Sequence, residues 1–288
     1  MTQHRRIHIP GLVDLTFVGD AASIIEVNAS PTLDRDFVAK GPLLNRLLAS
    51  RIRRTLVVGT QPFPAVAPKD FPGRALKQVA LETKLKSQCQ ALEADIISAI
   101  ANEVMNPGRD NELARLAQHL TGRSFIPDFV ATAETWAAAE TLDMAVRNNN
   151  PLRQLFWKLS GKITKARSLL AENMKQDPAA VHAIGIAIHN LVLSLKRMRI
   201  ILSQHTDVDR IVTLSLAAPP RILRQATGPS NGLVVMELEK CRAKTLRRDI
   251  AFLQGTWSSC PAHAWVPAAL TAVAREAIRL RSEKGVQA

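Results

Sequence analysis

Apolar residues recur every three to four positions through most of this chain, and this spacing predicts a mainly α-helical protein. One stripe consists of Leu85, Cys89, Leu92, Ile96, Ile97 and Ile100. It predicts a single long helix that ends near Asn106. The same spacing predicts helices over residues 132–146, 151–174, 179–204 and 267–280. The run from Val181 to Leu195 is almost continuously apolar, which is typical of a helix buried on most sides.

Short β-prone runs interrupt the helical pattern. They cover residues 15–18, 55–58 and 233–238, and they are rich in residues that pack well on a pleated surface. The sequence therefore predicts a mainly α fold, a single helical domain with a few short strands near the N-terminus and around 233–238.

The prolines indicate how the chain is divided. Four of them lie between Gly59 and Gly73, and each fixes its own φ and disfavours helix in the residue before it. We therefore expect a proline-rich loop over 59–73. Residues 1–58 are expected to form a mixed α/β segment packed on the main domain, and residues 74–288 the helical domain itself.

Composition places the chain among globular proteins. It has 288 residues, of which 47% are hydrophobic and 22% charged. No apolar run reaches the ~20 residues of a membrane span, and Asp14 and Asp20 argue against a secretory signal peptide. Three scattered cysteines are too few for a disulfide framework. We expect a cytoplasmic protein with no membrane span.

The net charge of +13 favours anionic partners, because a basic surface attracts phosphate polymers and acidic proteins. Aromatic residues are only 4% of the chain and Tyr is absent, which argues against a stacking platform for single-stranded nucleic acid. The basic residues are spread along the chain, as they are on many solvated helix faces. One candidate function is a non-enzymatic basic helical protein that binds nucleic acid or an acidic partner.

A loop near the C-terminus carries the strongest chemical signal. Phe252, Gly255, Trp257 and Cys260 lie within nine residues, and Pro261 follows. A cysteine ahead of a helix is a candidate metal ligand, because backbone N–H groups and the helix dipole stabilise its thiolate. A buried structural cysteine fits these residues as well.

This loop resembles the cysteine-ligand loop of the cytochrome P450 family, in which Phe-x-x-Gly precedes the cysteine that binds haem iron and a long helix follows. Phe252, Gly255 and Cys260 fill those positions. The Pro-Pro segment upstream, followed by Arg224, resembles the family's segment whose arginine pairs with a haem propionate. The resemblance implies a shortened, divergent haem-thiolate protein with haem as its cofactor.

The resemblance also implies roles for particular residues. Cys260 would be the iron ligand, and Arg224, Phe252, Gly255 and Trp257 would surround the cofactor. The apolar helix at His189 and Asn190 resembles the family's central helix, which crosses the haem face.

Three departures from the family pattern bear on the reaction. The spacing from Gly255 to Cys260 is one residue longer than usual, and the sequence Glu239-x-x-Arg242 lies too close to the cysteine to be the family's Glu-x-x-Arg helix. His189 and Asn190 stand near the place of the acid–alcohol pair that activates oxygen. We therefore expect a peroxide-driven oxygenase or isomerase-like chemistry on a small organic, anionic substrate, with His189 and Asn190 as the catalytic candidates.

Two other ligand sets are open from the residues alone. His182 and His189 are seven residues apart, so on a continuous α-helix they would share one face and could bind haem iron. Cys260-x-x-His263 is half of a zinc site, to which Cys241 could add a ligand.

Overall fold

The computed structural model describes residues 4–35, 40–55, 57–58, 61–62, 67–106, 112–148, 150–227 and 232–286. It confirms a mainly α fold with a small mixed sheet. The helices are α1 Ala21–Ala29, α2 Leu43–Thr55, α3 Arg74–Gln88, α4 Ala94–Met105, α5 Glu112–Arg123, α6 Ala133–Arg147, α7 Pro151–Leu159, α8 Lys162–Asn173, α9 Pro178–His182, a π-helix Ala183–Ala187, α10 Ile188–Leu202, α11 Val208–Ser215, α12 Leu238–Thr245, α13 Arg248–Phe252 and α14 Trp265–Val286. The strands are β1 Arg5–Ile9, β2 Val13–Val18, β3 Leu33–Asp34, β4 Val57–Val58, β5 Gln61–Pro62, β6 Ile222–Ala226 and β7 Leu233–Met236.

The chain divides into two compact units, each discontinuous in sequence. The first unit consists of Met1–Gln78, Met144–Thr164 and Ala218–Cys260, and the second of Val79–Asp143, Lys165–Ala217 and Pro261–Ala288. This description differs from the predicted division into 1–58, 59–73 and 74–288, which stays a prediction. Within the predicted loop, residues 59–60 and 63–66 lie outside the described residues.

The first unit is built on a five-stranded sheet with the order β1-β2-β7-β6-β3. β2 and β7 are parallel and the other neighbours antiparallel. The strand pairing joins residues far apart in sequence, and it places Arg224 opposite Val234. Asp20 caps α1 by accepting a hydrogen bond from the backbone N–H of Ser23 at 2.9 Å.

The second unit is helical and has an apolar core. α4 packs on α14 and α5, and α10 packs on α11 and α5. Its largest fully buried side chains are Ile100, Leu113, Leu142, Leu170, Met174, Ile184, Leu195, Met198 and Ile211. Packing is close at two glycines. A Cβ on Gly185 would lie 3.2 Å from Leu142 and Leu170, and one on Gly122 only 2.0 Å from Cδ1 of Phe129.

Two predicted helices are in fact interrupted. The helix expected through residues 85–106 is wrong: α3 ends at Gln88 and α4 begins at Ala94. Glu93 is extended there (φ −68°, ψ 116°), and its carboxylate pairs with Arg123 at 3.3 Å. The helix expected over 151–174 divides into α7 and α8 at Gly161, whose φ of +66° an α-helix does not contain.

The most apolar helical segment runs from Pro178 to Leu202. Asp177 caps its start by accepting from the N–H groups of Ala179 and Ala180, as the Asp-Pro pair predicts. By length and by its mean hydropathy of 1.5 it is the one segment among the described residues that could span a membrane, and 56% of its most apolar stretch is buried inside the structure. A core helix of a water-soluble fold has the same properties, so the segment is weak evidence for a span.

Candidate functional site

The Cys260 loop closes on itself within the first unit. α13 ends at Phe252, and the chain reverses through Leu253 and Gly255, whose φ angles are +51° and +75°. The backbone N–H of Cys260 then donates to the carbonyl of Phe252 at 2.8 Å. No atom lies within 4 Å of a Cβ built on Gly255, so its left-handed backbone, rather than lack of space, favours glycine there.

Three arginine side chains surround the indole of Trp257. The guanidinium carbons of Arg74, Arg35 and Arg224 lie 4.7, 5.0 and 5.3 Å from the ring centroid, which is cation–π distance. All three are buried, at 7, 6 and 0% exposure respectively. We call these four side chains the Arg–Trp cluster.

Two of these arginines bind the backbone of the cysteine loop. Arg35 donates from Nη2 to the carbonyl of Ser258 at 3.0 Å, and Arg74 donates from Nη2 to the carbonyl of Trp257 at 2.8 Å. Gln78 adds a third bond, from Nε2 to the carbonyl of Ser259 at 2.9 Å. The side chains of Arg35, Arg74 and Gln78 therefore hold the loop that precedes Cys260.

Arg224 is held by a neutral polar network. Its Nη2 donates to Oδ1 of Asn28 at 2.8 Å and to Oγ of Ser258 at 2.6 Å, and the Ser258 hydroxyl donates to the same Oδ1 at 2.9 Å. Arg224 lies on β6 and Asn28 on α1, so this network joins the sheet to the helix. This arrangement fixes the guanidinium but does not neutralise its charge.

The Arg–Trp cluster brings three guanidinium groups together in a buried position. Burial, with repulsion from Arg74, lowers the pKa of Arg224 to about 9. Burial and repulsion from Arg224 and Arg74 lower the pKa of Arg35 well below its usual range, and burial also lowers the pKa of Arg74. Among the described residues, Asp34 is the carboxylate whose charge acts on all three guanidiniums, and it raises the pKa of each.

The cluster also has hydrogen-bond donors to spare. The Nε of Arg74, the Nε of Arg224 and the indole Nε1 of Trp257 are buried without an acceptor among the described residues. A buried donor without a partner costs free energy, and an excess of buried positive charge costs more. An anion that accepts these bonds would reduce both costs.

Cys260 lies in the field of this cluster. The charge of Cys260 is one of the influences that raise the pKa of Arg35. The Cys260 side chain is half-buried. A cysteine thiolate is a suitable ligand for haem iron.

The other predicted site residues, His189 and Asn190, belong to the second unit. His189 Nδ1 lies 2.9 Å from Oδ2 of Asp143, an arrangement that orients the imidazole and leaves Nε2 for another partner. Oδ1 of Asn190 is buried and has no donor among the described residues.

The π-helix Ala183–Ala187 precedes both residues. Gln118 donates from Nε2 to the carbonyl of Ile184 in this segment at 3.4 Å. A π-turn inside an α-helix often marks a functional position. It also separates His182 from His189, so their seven-residue spacing does not by itself place them on one face.

The predicted site residues thus fall into two groups. The first unit holds Arg224, Phe252, Gly255, Trp257 and Cys260, and the second unit holds His189 and Asn190. A site that combines the two groups stays a prediction.

Sequence reasoning missed Arg35, Arg74 and Asn28. Arg74 did offer a signal: it begins α3, which has no acidic residue in its first turn, although a cation is unfavourable at the positive end of a helix dipole. Arg35 and Asn28 gave none, because tertiary contacts alone bring them to the loop.

Glu239 and Arg242 form an ion pair on α12, with Nη2 of Arg242 2.7 Å from Oε1 of Glu239. The other carboxylate oxygen accepts from the N–H of Ala218 at 2.6 Å, so this pair anchors the chain just before the two prolines. Within the described part of the chain no three or more His, Cys, Asp or Glu side chains are grouped so that they could hold a metal ion, which counts against the zinc alternative.

No family model matches this sequence, and no curated protein sequence is significantly similar to it. Solved structures do share its fold. GfsF superposes with a TM-score of 0.52 at 15% identity, over 98% of this chain and 86% of that one. The cytochrome P450 enzyme CxnD, for C–S bond formation in chuangxinmycin biosynthesis, gives a TM-score of 0.52 at 13% identity, over 92% and 79%.

Proposed function

From a fold that is similar to that of a cytochrome P450, we propose that this protein is a haem-binding enzyme with a cysteine thiolate as the iron ligand. The observation that carries the proposal is the Arg–Trp cluster beside Cys260. It combines three buried guanidiniums with unsatisfied buried donors, and Trp257 lies three residues before Cys260 in the sequence.

These residues fit haem in charge and in donor chemistry. The two propionates of haem are anions of the kind that a buried group of three guanidiniums would attract. Carboxylates pair well with the planar fork of a guanidinium, and the unpartnered N–H groups of Arg74, Arg224 and Trp257 are donors for them. Arg224 would be the principal propionate partner, Phe252 and Gly255 would shape the loop, and Cys260 would bind the iron.

Bound haem would supply oxidative or isomerising chemistry, and the residues of this chain would decide which. Asp143 orients the His189 imidazole, so that Nε2 would be left to exchange a proton with a substrate. Asn190 offers a buried amide oxygen as an acceptor. This pair suits a peroxide-driven oxygenase or an isomerase-like enzyme, because neither needs the proton relay of an acid–alcohol pair.

The substrate and the compartment belong to the same proposal. A small organic substrate with a carboxylate suits a chain with a net charge of +13. A thiolate ligand needs reduced cysteine, which is consistent with a cytoplasmic protein.

Absorbance spectra of the protein expressed with haem supplied test the proposal. We expect a Soret band that moves to the long-wavelength position of thiolate-ligated haem on reduction under carbon monoxide. Cys260→Ala should abolish that shift, whereas Cys89→Ala, a matched cysteine in the other unit, should keep it.

Two results would reject the thiolate assignment. One is the absence of a Soret band from wild-type protein. The other is a Cys260→Ala protein with the spectrum of the wild type.

The alternative is a basic protein that binds nucleic acid or an acidic partner. The structure weakens its main support, the net positive charge, because part of that charge is buried. Among the residues that the structure describes, five arginine side chains are buried, namely Arg35, Arg51, Arg74, Arg224 and Arg242. Buried cations are not available to a phosphate polymer. Affinity for DNA or RNA that falls steeply with salt, in a protein without haem, would favour the alternative.

A further inference from the structure

An apolar stripe on α7 lies on the surface of the first unit. Leu152, Leu155, Phe156 and Leu159 are 75, 51, 57 and 77% exposed. Their spacing of three, four and seven residues places them on one helix face. An exposed apolar cluster of this kind marks an interaction site more often than a solvated surface.

The rest of α7 shows that this orientation is built into the fold. Trp157, on the other side of the helix, is only 5% exposed, so that face of α7 is buried. The side chain of Asn150 accepts from the N–H groups of Leu152 and Arg153 at 3.0 and 3.3 Å and caps the helix start. Gly161 ends the turn after the helix with a positive φ. The apolar stripe is therefore presented to solvent by a well-capped helix.

The charged residues along this segment of the sequence have one sign. Between Met144 and Thr164 the sequence has the basic residues Arg147, Arg153, Lys158 and Lys162 and no Asp or Glu. Arg153 and Lys162 are exposed, and the ammonium of Lys162 lies 5.8 Å from the ring centroid of Phe156. Long basic side chains beside apolar ones can reach towards anionic groups while their stems cover apolar surface.

From this combination we propose that α7 docks the protein on an anionic membrane surface, lying in the interface with its apolar stripe among the acyl chains. An amphipathic helix with large apolar residues on one face and lysine or arginine beside them binds in this way. A second copy of the chain would bring like charges together, and a phosphate polymer would leave the four apolar side chains in water. This inference is independent of the haem proposal.

Vesicle flotation of the full-length protein is the test. We expect binding to vesicles of phosphatidylcholine and phosphatidylglycerol in equal parts, weaker binding to phosphatidylcholine alone, and a decrease in the first as salt is raised. Replacing Leu152 and Phe156 with Ser should weaken binding by about tenfold or more, because two large apolar side chains no longer enter the bilayer. Arg153→Glu should weaken binding to the anionic vesicles only.

Leu76→Ser is the matched control, because Leu76 lies in the same unit and is 78% exposed, as Leu152 is. It should bind vesicles as the wild type does, and the circular dichroism of all variants should be unchanged.

The proposal is overturned if wild-type protein stays unbound with anionic vesicles, or if L152S/F156S binds them unchanged. It is also overturned if Leu76→Ser loses as much binding as L152S/F156S. A dimer that forms without lipid and is abolished by L152S/F156S would instead assign the stripe to self-association.

Discussion

The two units of this protein bury polar residues of different kinds. Among the described residues, every buried side chain with a formal charge belongs to the unit that carries Cys260; they are Asp14, Arg35, Arg51, Arg74, Arg224 and Arg242. The unit that carries His189 buries only neutral polar groups, which are Gln118, Thr121, Ser124, Thr135, Ser194 and Ser215. Buried charge lowers stability, so the buried charged groups destabilise the first unit in a way that has no counterpart in the second. A ligand that neutralises this charge would explain why the first unit contains it.

The same comparison predicts what each unit is sensitive to. The second unit should respond mainly to changes in packing volume. The first unit should respond more to changes in its charged network, and that response should depend on whether an anion is bound.

The largest effect on stability is expected from Leu170→Ala in the second unit. Leu170 is fully buried, and its removal would leave a cavity beside Gly185. We expect the free energy of unfolding to fall by about 2–5 kcal/mol, measured by urea denaturation. Leu159→Ala, at a position 77% exposed, should change it by less than about 0.5 kcal/mol. Equal losses from the two variants would contradict a packing-dominated unit.

Gly122→Ala is expected to be the next most damaging. The new Cβ would lie 2.0 Å from Cδ1 of Phe129, a ring that is itself buried at 4% exposure. The overlap should cost about 1–3 kcal/mol of unfolding free energy. The cost should shrink in a Phe129→Leu background, and a double-mutant cycle measures the difference. A cost that is the same in both backgrounds would show that Phe129 is not its cause.

Arg224→Met should separate ligand binding from stability in the first unit. The variant loses the bonds to Asn28 and Ser258 but relieves repulsion within the Arg–Trp cluster. We therefore expect the unfolding free energy of the haem-free protein to change by less than about 1.5 kcal/mol. Haem affinity should fall about tenfold or more, since a charged hydrogen-bond partner is lost.

Arg51→Met is the control for that variant. Arg51 is also buried, with its pKa lowered to about 10 by burial, but it donates to the carbonyl of Asn148 at 2.6 Å and takes no part in the Arg–Trp cluster. Its replacement should leave haem affinity unchanged. If both variants lose haem equally, the cluster has no special role.

The smallest effect concerns a charge on the surface of the second unit. The hydrogen bond from Arg279 lowers the pKa of Glu276 from 4.5 to about 2. The ionised carboxylate therefore stabilises the fold above pH 4.5, and this contribution is lost as the pH falls from 4.5 to about 2. Glu276→Gln should reduce the acid sensitivity in that window, by less than about 1 kcal/mol because the pair is exposed on the arginine side. Glu140→Gln, an exposed glutamate on α6, is the control for thermal melts across this range.

Much of the fold was predictable because its signals are local. The apolar spacing located α6, α10 and α14, and the Asp177-Pro178 pair located the start of α9. The interruptions at Cys89–Glu93 and at Gly161 were missed because the apolar stripe continues across them. In both places the backbone is not helical, but the apolar residues on either side still recur every three to four positions along the sequence.

The candidate site was predictable only where it lies along one stretch of sequence. Phe252, Gly255, Trp257 and Cys260 share one loop, and Arg224 followed from the Pro-Pro segment. Arg35 and Arg74 are 189 and 150 positions from Arg224 in the chain, and they meet it only in the folded first unit. The concentration of positive charge that favours an anionic ligand arises only when these three arginines come together in the fold. No single segment of the sequence could therefore predict it.

The direction in which His189 points depends on the number of residues in the π-helix Ala183–Ala187. Such a turn corresponds to one residue inserted into an α-helix, and each helical residue advances the chain by about 100° around the axis. A one-residue deletion in this segment would keep the flanking helices hydrogen-bonded and rotate Ile188–Leu202 by about a quarter of a turn relative to Pro178–His182. His189 would then face a different neighbour, with every side chain in α10 unchanged. Insertions and deletions, rather than substitutions, are the shortest evolutionary route by which this helix could acquire or lose a site.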